Sequence, residues 1–263
     1  MTRFKAFGIH SVTSLLVFLS VIGLLVLAWY PWPLFQLEGG WQGVRLVALV
    51  DLVLGPVLTL VVFKAGKPGL KLDMSLILLM QAGALIYGMW NLYDARPVLL
   101  VHADDHFQPL SRSLLNEWDP SGRVLERWEG LAPRRLRVQA PDDPVAFADL
   151  LTASADTPGK MFGLFERYQP LEESWPELLM DAVQIRDYVK RDPEWQKHLD
   201  SLLNEINRSV DELAFFPYVG RRKRVILGFD RETREIVGIL DIPYDPAVIR
   251  FEIPRSHRSG LNR

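Results

Sequence analysis

Three stretches of about 20 residues carry almost no charge. Residues 11–30 and 74–93 have no charged side chain, and residues 44–63 have only Arg45 near one end and Asp51 inside. At ~1.5 Å per residue, a helix of ~20 residues spans the ~30 Å of a bilayer's hydrocarbon core. One such run is compatible with a buried core helix, but three within 93 residues predict transmembrane helices. The charge distribution agrees. Of 30 Lys and Arg and 32 Asp and Glu, residues 1–93 hold six and three, leaving 24 and 29 for residues 94–263. A net charge of −2 therefore hides a charge-poor block of +3 and a charge-rich block of −5. The expected fold class is membrane-anchored α+β. Three transmembrane helices (about 11–30, 44–63 and 74–93, within 1–94) precede an extracytoplasmic α+β domain with an antiparallel sheet (95–255) and a disordered tail (256–263).

Lys and Arg orient the spans. Arg3 and Lys5 precede the first, Lys64, Lys67 and Lys71 join the second to the third, and residues 31–42 carry none. The positive-inside rule places the N-terminus and the 64–72 loop in the cytoplasm, and everything after Tyr93 outside, in the periplasm of a bacterial inner-membrane protein. Trp29, Tyr30, Trp32, Trp41, Trp90 and Tyr93 collect at the outer ends, the depth amphipathic rings favour. The first run is longer than a signal h-region and lacks a small-x-small exit, so it reads as retained.

Asp51 is the most constrained residue of this block. It lies ~12 Å into its span, where an isolated carboxylate costs on the order of 2.5–3.5 kcal/mol. It is expected to face protein or water, with protonation as a further way to shed the charge. Gly55 and Thr59 follow at i+4 and i+8 on the same face, and Pro56 removes a backbone donor and predicts a kink. The third span presents Gln81, Ala84, Gly88 and Asn91. The two faces are expected to meet, with Asp51 hydrogen-bonded to Gln81, Tyr87 or a neighbour. Asp51, Gly55, Pro56, Thr59, Gln81 and Gly88 are the candidate partner-binding residues. The readings open for Asp51 are internal glue, a seat for another membrane helix, or a proton relay.

In the charge-rich block, residues 97–103 and 134–139 read as strands. Asp143, Ser174 and Asp192 read as helix N-caps, the second as a capping box before a helix over 178–190. Trp195, Leu199, Leu202, Leu203, Ile206, Val210 and Leu213 form a helical apolar stripe. Residues 224–229 and 235–242 form a hairpin about a 230–234 turn. Without cysteine the chain has no disulfide, thiol nucleophile or Cys-ligated metal. Its acidic outer block argues against nucleic-acid binding, and no phosphate loop, Gly-x-Ser-x-Gly elbow or zincin motif is present. On a strand, His102, Asp104 and His106 share a face, a pattern with metal-site spacing that chance also produces. Arg221, Arg222, Lys223 and Arg224 read as a solvated hairpin entry. No cofactor, metal or catalytic residue is expected.

Arg3-Phe4-Lys5-Ala6-Phe7, His10, Trp29-Tyr30-Pro31, Gly39-Gly40, Asp51-Leu-Val-Leu-Gly55-Pro56 with Thr59, and Lys64-Ala-Gly-Lys67 resemble the TfpX/TfpZ family of type IV pilin accessory proteins. So do Leu70-Lys71-Leu72-Asp73, Gln81, Tyr87-Gly88-Met-Trp90 and Ala95-Arg96-Pro97-Val98, and the likeness covers residues 3–101. Asp105-His106-Phe107 has His106 where that family has Arg. The resemblance implies a non-enzymatic inner-membrane protein that helps the stability, presentation or assembly of pilin subunits, each with one long apolar helix. Its partners would be the type IV pilin, other pilus-assembly components and membrane lipid. The alternative is a membrane-bound enzyme modifying pilin or envelope components.

Overall fold

A computed structural model describes residues 2–141, 143, 145–146, 148–150, 152 and 160–244. The expected 256–263 tail lies outside the described residues. The chain divides into two compact units. The first comprises Met1–Val98, Ser111–Glu117 and Gly130–Pro133, and the rest forms the second.

The first unit contains three helices long and apolar enough to cross a membrane: α1 (Arg3–Trp29), α3 (Gly40–Val62) and α4 (Leu70–Ala95). The short helix α2 (Leu34–Leu37) links the first two. Each long helix is longer than the run of about 20 residues that marks it, because flanking residues continue the winding at its ends. Thr2 caps α1 by accepting from the Lys5 N–H at 3.3 Å. Both α1 and α3 contain a widened π turn, at Leu25–Trp29 and Leu49–Leu54. The second lies directly before Gly55-Pro56. Pro56 has no N–H to give the helix ladder, and its ring crowds the preceding turn. The apolar side chains of α4 face outward: Leu72, Leu79, Ile86 and Trp90 are exposed, and only Ile77 is buried. Such an outward apolar surface suits a lipid solvent.

The second unit is built on a seven-stranded sheet of order β4-β3-β1-β2-β5-β6-β7. Its strands are β1 (Pro97–Ala103), β2 (His106–Ser111), β3 (Arg134–Val138), β4 (Tyr168–Pro170), β5 (Leu213–Val219), β6 (Arg224–Asp230) and β7 (Ile236–Leu240). The sheet is mixed, which corrects the antiparallel expectation. β1 runs parallel to β3, and β2 parallel to β5, while β3–β4, β5–β6 and β6–β7 are antiparallel. Parallel neighbours need long crossovers, and the chain supplies them. In chain order, α5 (Arg112–Trp118), most of it within the first unit, and α6 (Arg123–Trp128) lie between β2 and β3, and α7 (Trp175–Met180), α8 (Ile185–Val189) and α9 (Pro193–Ile206) between β4 and β5. All seven residues of β1 are buried, the continuous apolar pattern of a strand covered on both faces.

One sheet face carries an aromatic cluster. Phe107 stacks on Phe229 at 5.1 Å, Phe216 meets both edge-on, and Trp175 packs against Phe216 and Phe229. The opposite face packs Leu213, Phe215, Ile226 and Leu240 against Leu199 and Leu202 of α9. α9 starts as expected, with Asp192 accepting from the Glu194 N–H at 2.8 Å. Its stripe is core: Trp195, Leu203 and Ile206 pack against the same cluster. Gly238 of β7 lets this helix approach, since a Cβ there would lie 2.9 Å from Leu202 Cδ1. The 230–234 turn is also as expected. Asp230 accepts from the Glu232 and Thr233 N–H groups at 2.9 and 2.8 Å, closing the β6–β7 hairpin.

Two helix expectations change. Asp143 does accept from Val145 and Ala146 N–H groups. The expected 178–190 helix, however, is two short ones, α7 and α8. The Ser174 hydroxyl donates backward to the Pro170 carbonyl rather than capping α7.

Candidate functional site

The three long helices pack tightly at one end. Val21, Leu25, Tyr30, Phe35, Val44 and Val47 form a buried cluster, joined by Leu85, Met89 and Leu92 of α4. The Tyr30 hydroxyl donates to the Leu92 carbonyl at 3.0 Å. Toward the other end, α3 packs against both neighbours, and the three helices line a cleft of 540 Å³. α1 contributes Ala6, Ile9, His10, Thr13, Ser14 and Val17. α3 contributes Asp51 and Thr59, with Phe63 just beyond its end, and α4 contributes Met74, Leu78, Gln81, Ala82 and Leu85.

The lining is apolar apart from a few polar groups. His10 Nδ1 lies 2.5 Å from Thr59 Oγ1, an interaction that buries the Thr59 hydroxyl between α1 and α3. The Thr13 hydroxyl donates to its own helix, at the Ile9 carbonyl. Asp51 is 5% exposed, and its Oδ2 is buried without a hydrogen-bond partner among the described residues. Gln81 Oε1 is also buried and unpartnered. The expected hydrogen bond from Asp51 to Gln81 or Tyr87 is absent, and Tyr87 is 72% exposed.

The structure therefore joins Asp51, Thr59 and Gln81 at one cleft. Gly55 and Pro56 are buried next to them. A Cβ on Gly55 would collide with the Gln81 amide, so the missing side chain is what lets α4 approach. Gly88 stands apart, with open space where its Cβ would be. α4 uses Ile77, Gln81, Leu85 and Met89 rather than the expected Gln81, Ala84, Gly88 and Asn91. Residues four apart on a helix stack into one ridge, and on this ridge large side chains fill the space next to α3. His10 belongs to the cleft although the sequence places it only among the motif residues. Its signal is a lone imidazole within an otherwise uncharged run.

The His102–His106 segment is a tight turn, not an open site. Asp104 and Asp105 both have positive φ, 50° and 64°, the geometry of a type I′ hairpin turn between β1 and β2. His102 is buried, its ring 4.9 Å from Phe107 and 5.9 Å from Phe216. Burial, reinforced by Arg137 and His106, pushes its pKa well below the usual imidazole value. The His106 ring turns toward Phe162. Among the described residues, no three His, Asp or Glu side chains come together as a metal-binding set. Arg221, Arg222, Lys223 and Arg224 are exposed at the turn into β6, where Lys223 pairs with Asp241 at 2.6 Å.

Fold and cleft together define a class: a protein with three helices of membrane-crossing length, enclosing a cleft with a buried carboxylate, joined in sequence to a mixed-sheet domain. The relatives narrow it. The chain is 39% identical over 118 residues to a fimbrial assembly protein of serogroups C1 and C2 from Dichelobacter nodosus, covering 89% of that protein. It is also 39% identical over 118 residues to the serogroup E1 fimbrial assembly protein of the same organism, of which it covers 46%, about half the length. Against the serogroup I protein it is 27% identical over 236 residues, covering 86%. The chain belongs to this family of fimbrial assembly proteins. No family model and no solved structure matches it.

Proposed function

We propose that this protein assists type IV fimbrial assembly by non-catalytic contact. It would seat the apolar helix of a pilin subunit at the cleft between α1, α3 and α4, at the inner membrane. The Arg3/Lys5 and Lys64/Lys67/Lys71 clusters support a cytoplasmic N-terminus and a periplasmic sheet domain. The names of the relatives support the assembly role. The observation that carries the docking reading is the cleft itself. A buried carboxylate without a hydrogen bond is costly wherever it sits, and an internal glue role would have given it a partner. Asp51 Oδ2 has no hydrogen-bond partner among the described residues, so a partner from outside supplies a reason to keep it.

The test is photo-crosslinking in fimbriated cells. A photoreactive residue at Thr13 or Leu78, both on the cleft wall, is expected to give pilin adducts. The same residue at Ile86, exposed but outside the cleft, is not. An absence of adducts at 13 and 78, together with normal fimbriation in a deletion strain, would refute the reading.

A further inference from the structure

The polar groups of the cleft are unbalanced. Asp51 Oδ2 and Gln81 Oε1 are hydrogen-bond acceptors, both buried and both unpartnered. The hydrogen bonds that the α1 donors at the cleft make go elsewhere. The Thr13 hydroxyl is tied to the Ile9 carbonyl, and His10 Nδ1 is engaged with Thr59. Ser14 lines the cleft but bonds to neither acceptor, and among the described residues no Lys or Arg lines it. Lys67, in the loop before α4, pairs with Asp73 at 2.5 Å. Two unpaired acceptor oxygens on residues that line one cleft of low polarity call for a donor from outside.

We propose that the cleft recognises a donor side chain carried at mid-depth on an otherwise apolar helix, an ammonium, amide or hydroxyl that binds Asp51 and Gln81. This rests on the docking reading above and adds its chemistry. A wholly apolar helix would fill the cleft by van der Waals packing, but it would leave both acceptors unpaired. A donor on the same helix satisfies them, and the incoming chain is selected by one polar residue rather than by shape alone. Asp51 lies eleven residues after Gly40 in α3, ~16 Å along the helix and near its middle. That sets the depth at which the partner's donor must sit.

The experiment uses the full chain reconstituted in lipid nanodiscs. The probes are synthetic Leu–Ala helices of about 20 residues with uncharged polar ends, a fluorophore, and one central guest: Leu, Ser, Asn or Lys. Binding is read by energy transfer from a labelled protein. The Ser, Asn and Lys guests are expected to bind about three- to twentyfold more tightly than the Leu guest, the range measured for hydrogen bonds between membrane helices. Asp51→Leu, and independently Gln81→Leu, should reduce or abolish that preference while still binding the Leu guest. That retained binding also shows that each variant is folded. Equal binding of all four guests to the unaltered protein, as for a cleft that serves only a lipid chain, would overturn the donor proposal and leave docking intact. Binding of none would overturn docking, and the donor proposal with it.

Discussion

Asp51→Leu distinguishes a carboxylate that holds the bundle together from one held ready for a partner. The substitution is close to isosteric, since both side chains have the same branched four-atom skeleton. It removes a group that is 5% exposed, with a buried oxygen that accepts no hydrogen bond. Leaving such an acceptor unsatisfied costs about 1–3 kcal/mol, and at mid-span the exchange of Asp for Leu acts in the same direction. The adjoining cleft gives the new methyl groups room to settle. The expected result is a stabilised protein, by about 1 kcal/mol or more, that assembles fimbriae poorly. For a unit of this size that is a rise in apparent Tm of about 4 °C or more. It can be measured as the fraction of detergent-solubilised protein still monodisperse after heating, and fimbriae can be counted in the same strain. A fall in Tm of similar size would refute the reasoning, because it would show the carboxylate holding α1, α3 and α4 together. Unchanged fimbriation would refute the functional half.

Four further outcomes are expected. Burial depresses the His102 pKa, so below pH 6.5, the ordinary imidazole value, the unfolded chain takes up a proton that the folded one refuses. Stability contributed by the neutral ring is full above that pH and falls with acidification, by up to about 1.4 kcal/mol per pH unit; His102→Leu should flatten this limb in denaturant titrations run at several pH values. The Thr233 and Glu232 N–H groups and Arg208 lower the Asp230 pKa. Its contribution is therefore present above the ordinary carboxylate pKa and lost as pH falls through the depressed one, and Asp230→Asn should weaken the β6–β7 hairpin at neutral pH and narrow the gap to the unaltered protein in acid, read by hydrogen exchange of the 224–240 amides. Gly238→Ala should cost about 1–3 kcal/mol by crowding Leu202. Combined with Leu202→Val it should cost less than the sum of the two, and additivity in that double-mutant cycle would contradict the close packing of α9 on β7. Removing the α9 cap by Asp192→Ala should cost about 1 kcal/mol, measured as a lower denaturation midpoint.

The long helices were legible because a membrane-crossing length is a sharp criterion, and only residues 1–93 combine that length with so few charges. Asp51 was legible for the same reason: a carboxylate stands out where charge is scarce. The packing face of α4 was not. Small and polar residues at 84, 88 and 91 pointed to one stripe, but the helix turns Leu85 and Met89 inward; α4 is apolar nearly all round, so hydropathy does not mark its packing face. Strand pairing was hidden by a different limit. β5 holds Pro217 in a central position, which argues against a strand, and Leu213 fits a helical stripe as well as it fits the start of a strand. Whether β1 finds its partner through a hairpin or a crossover depends on residues far along the chain. Within the β1–β2 segment, alternation placed His102 and His106 on one face. The two-residue turn at Asp104-Asp105 buries the first and turns the second toward Phe162, so the metal-like spacing carried no coordination.

The π turn at Leu49–Leu54 has a further consequence, for the lengths this helix can tolerate. A widened turn holds one residue more than an α-turn of the same helix. Deleting one residue within 49–54 lets that stretch return to ordinary winding, while Val44 and Val47 on one side and Gly55 and Thr59 on the other keep their faces. The same deletion after Gly55 would rotate the remaining turns of the helix by about 100° and carry Thr59 away from His10. Chain length in α3 is thus slack at one place and strict at the next.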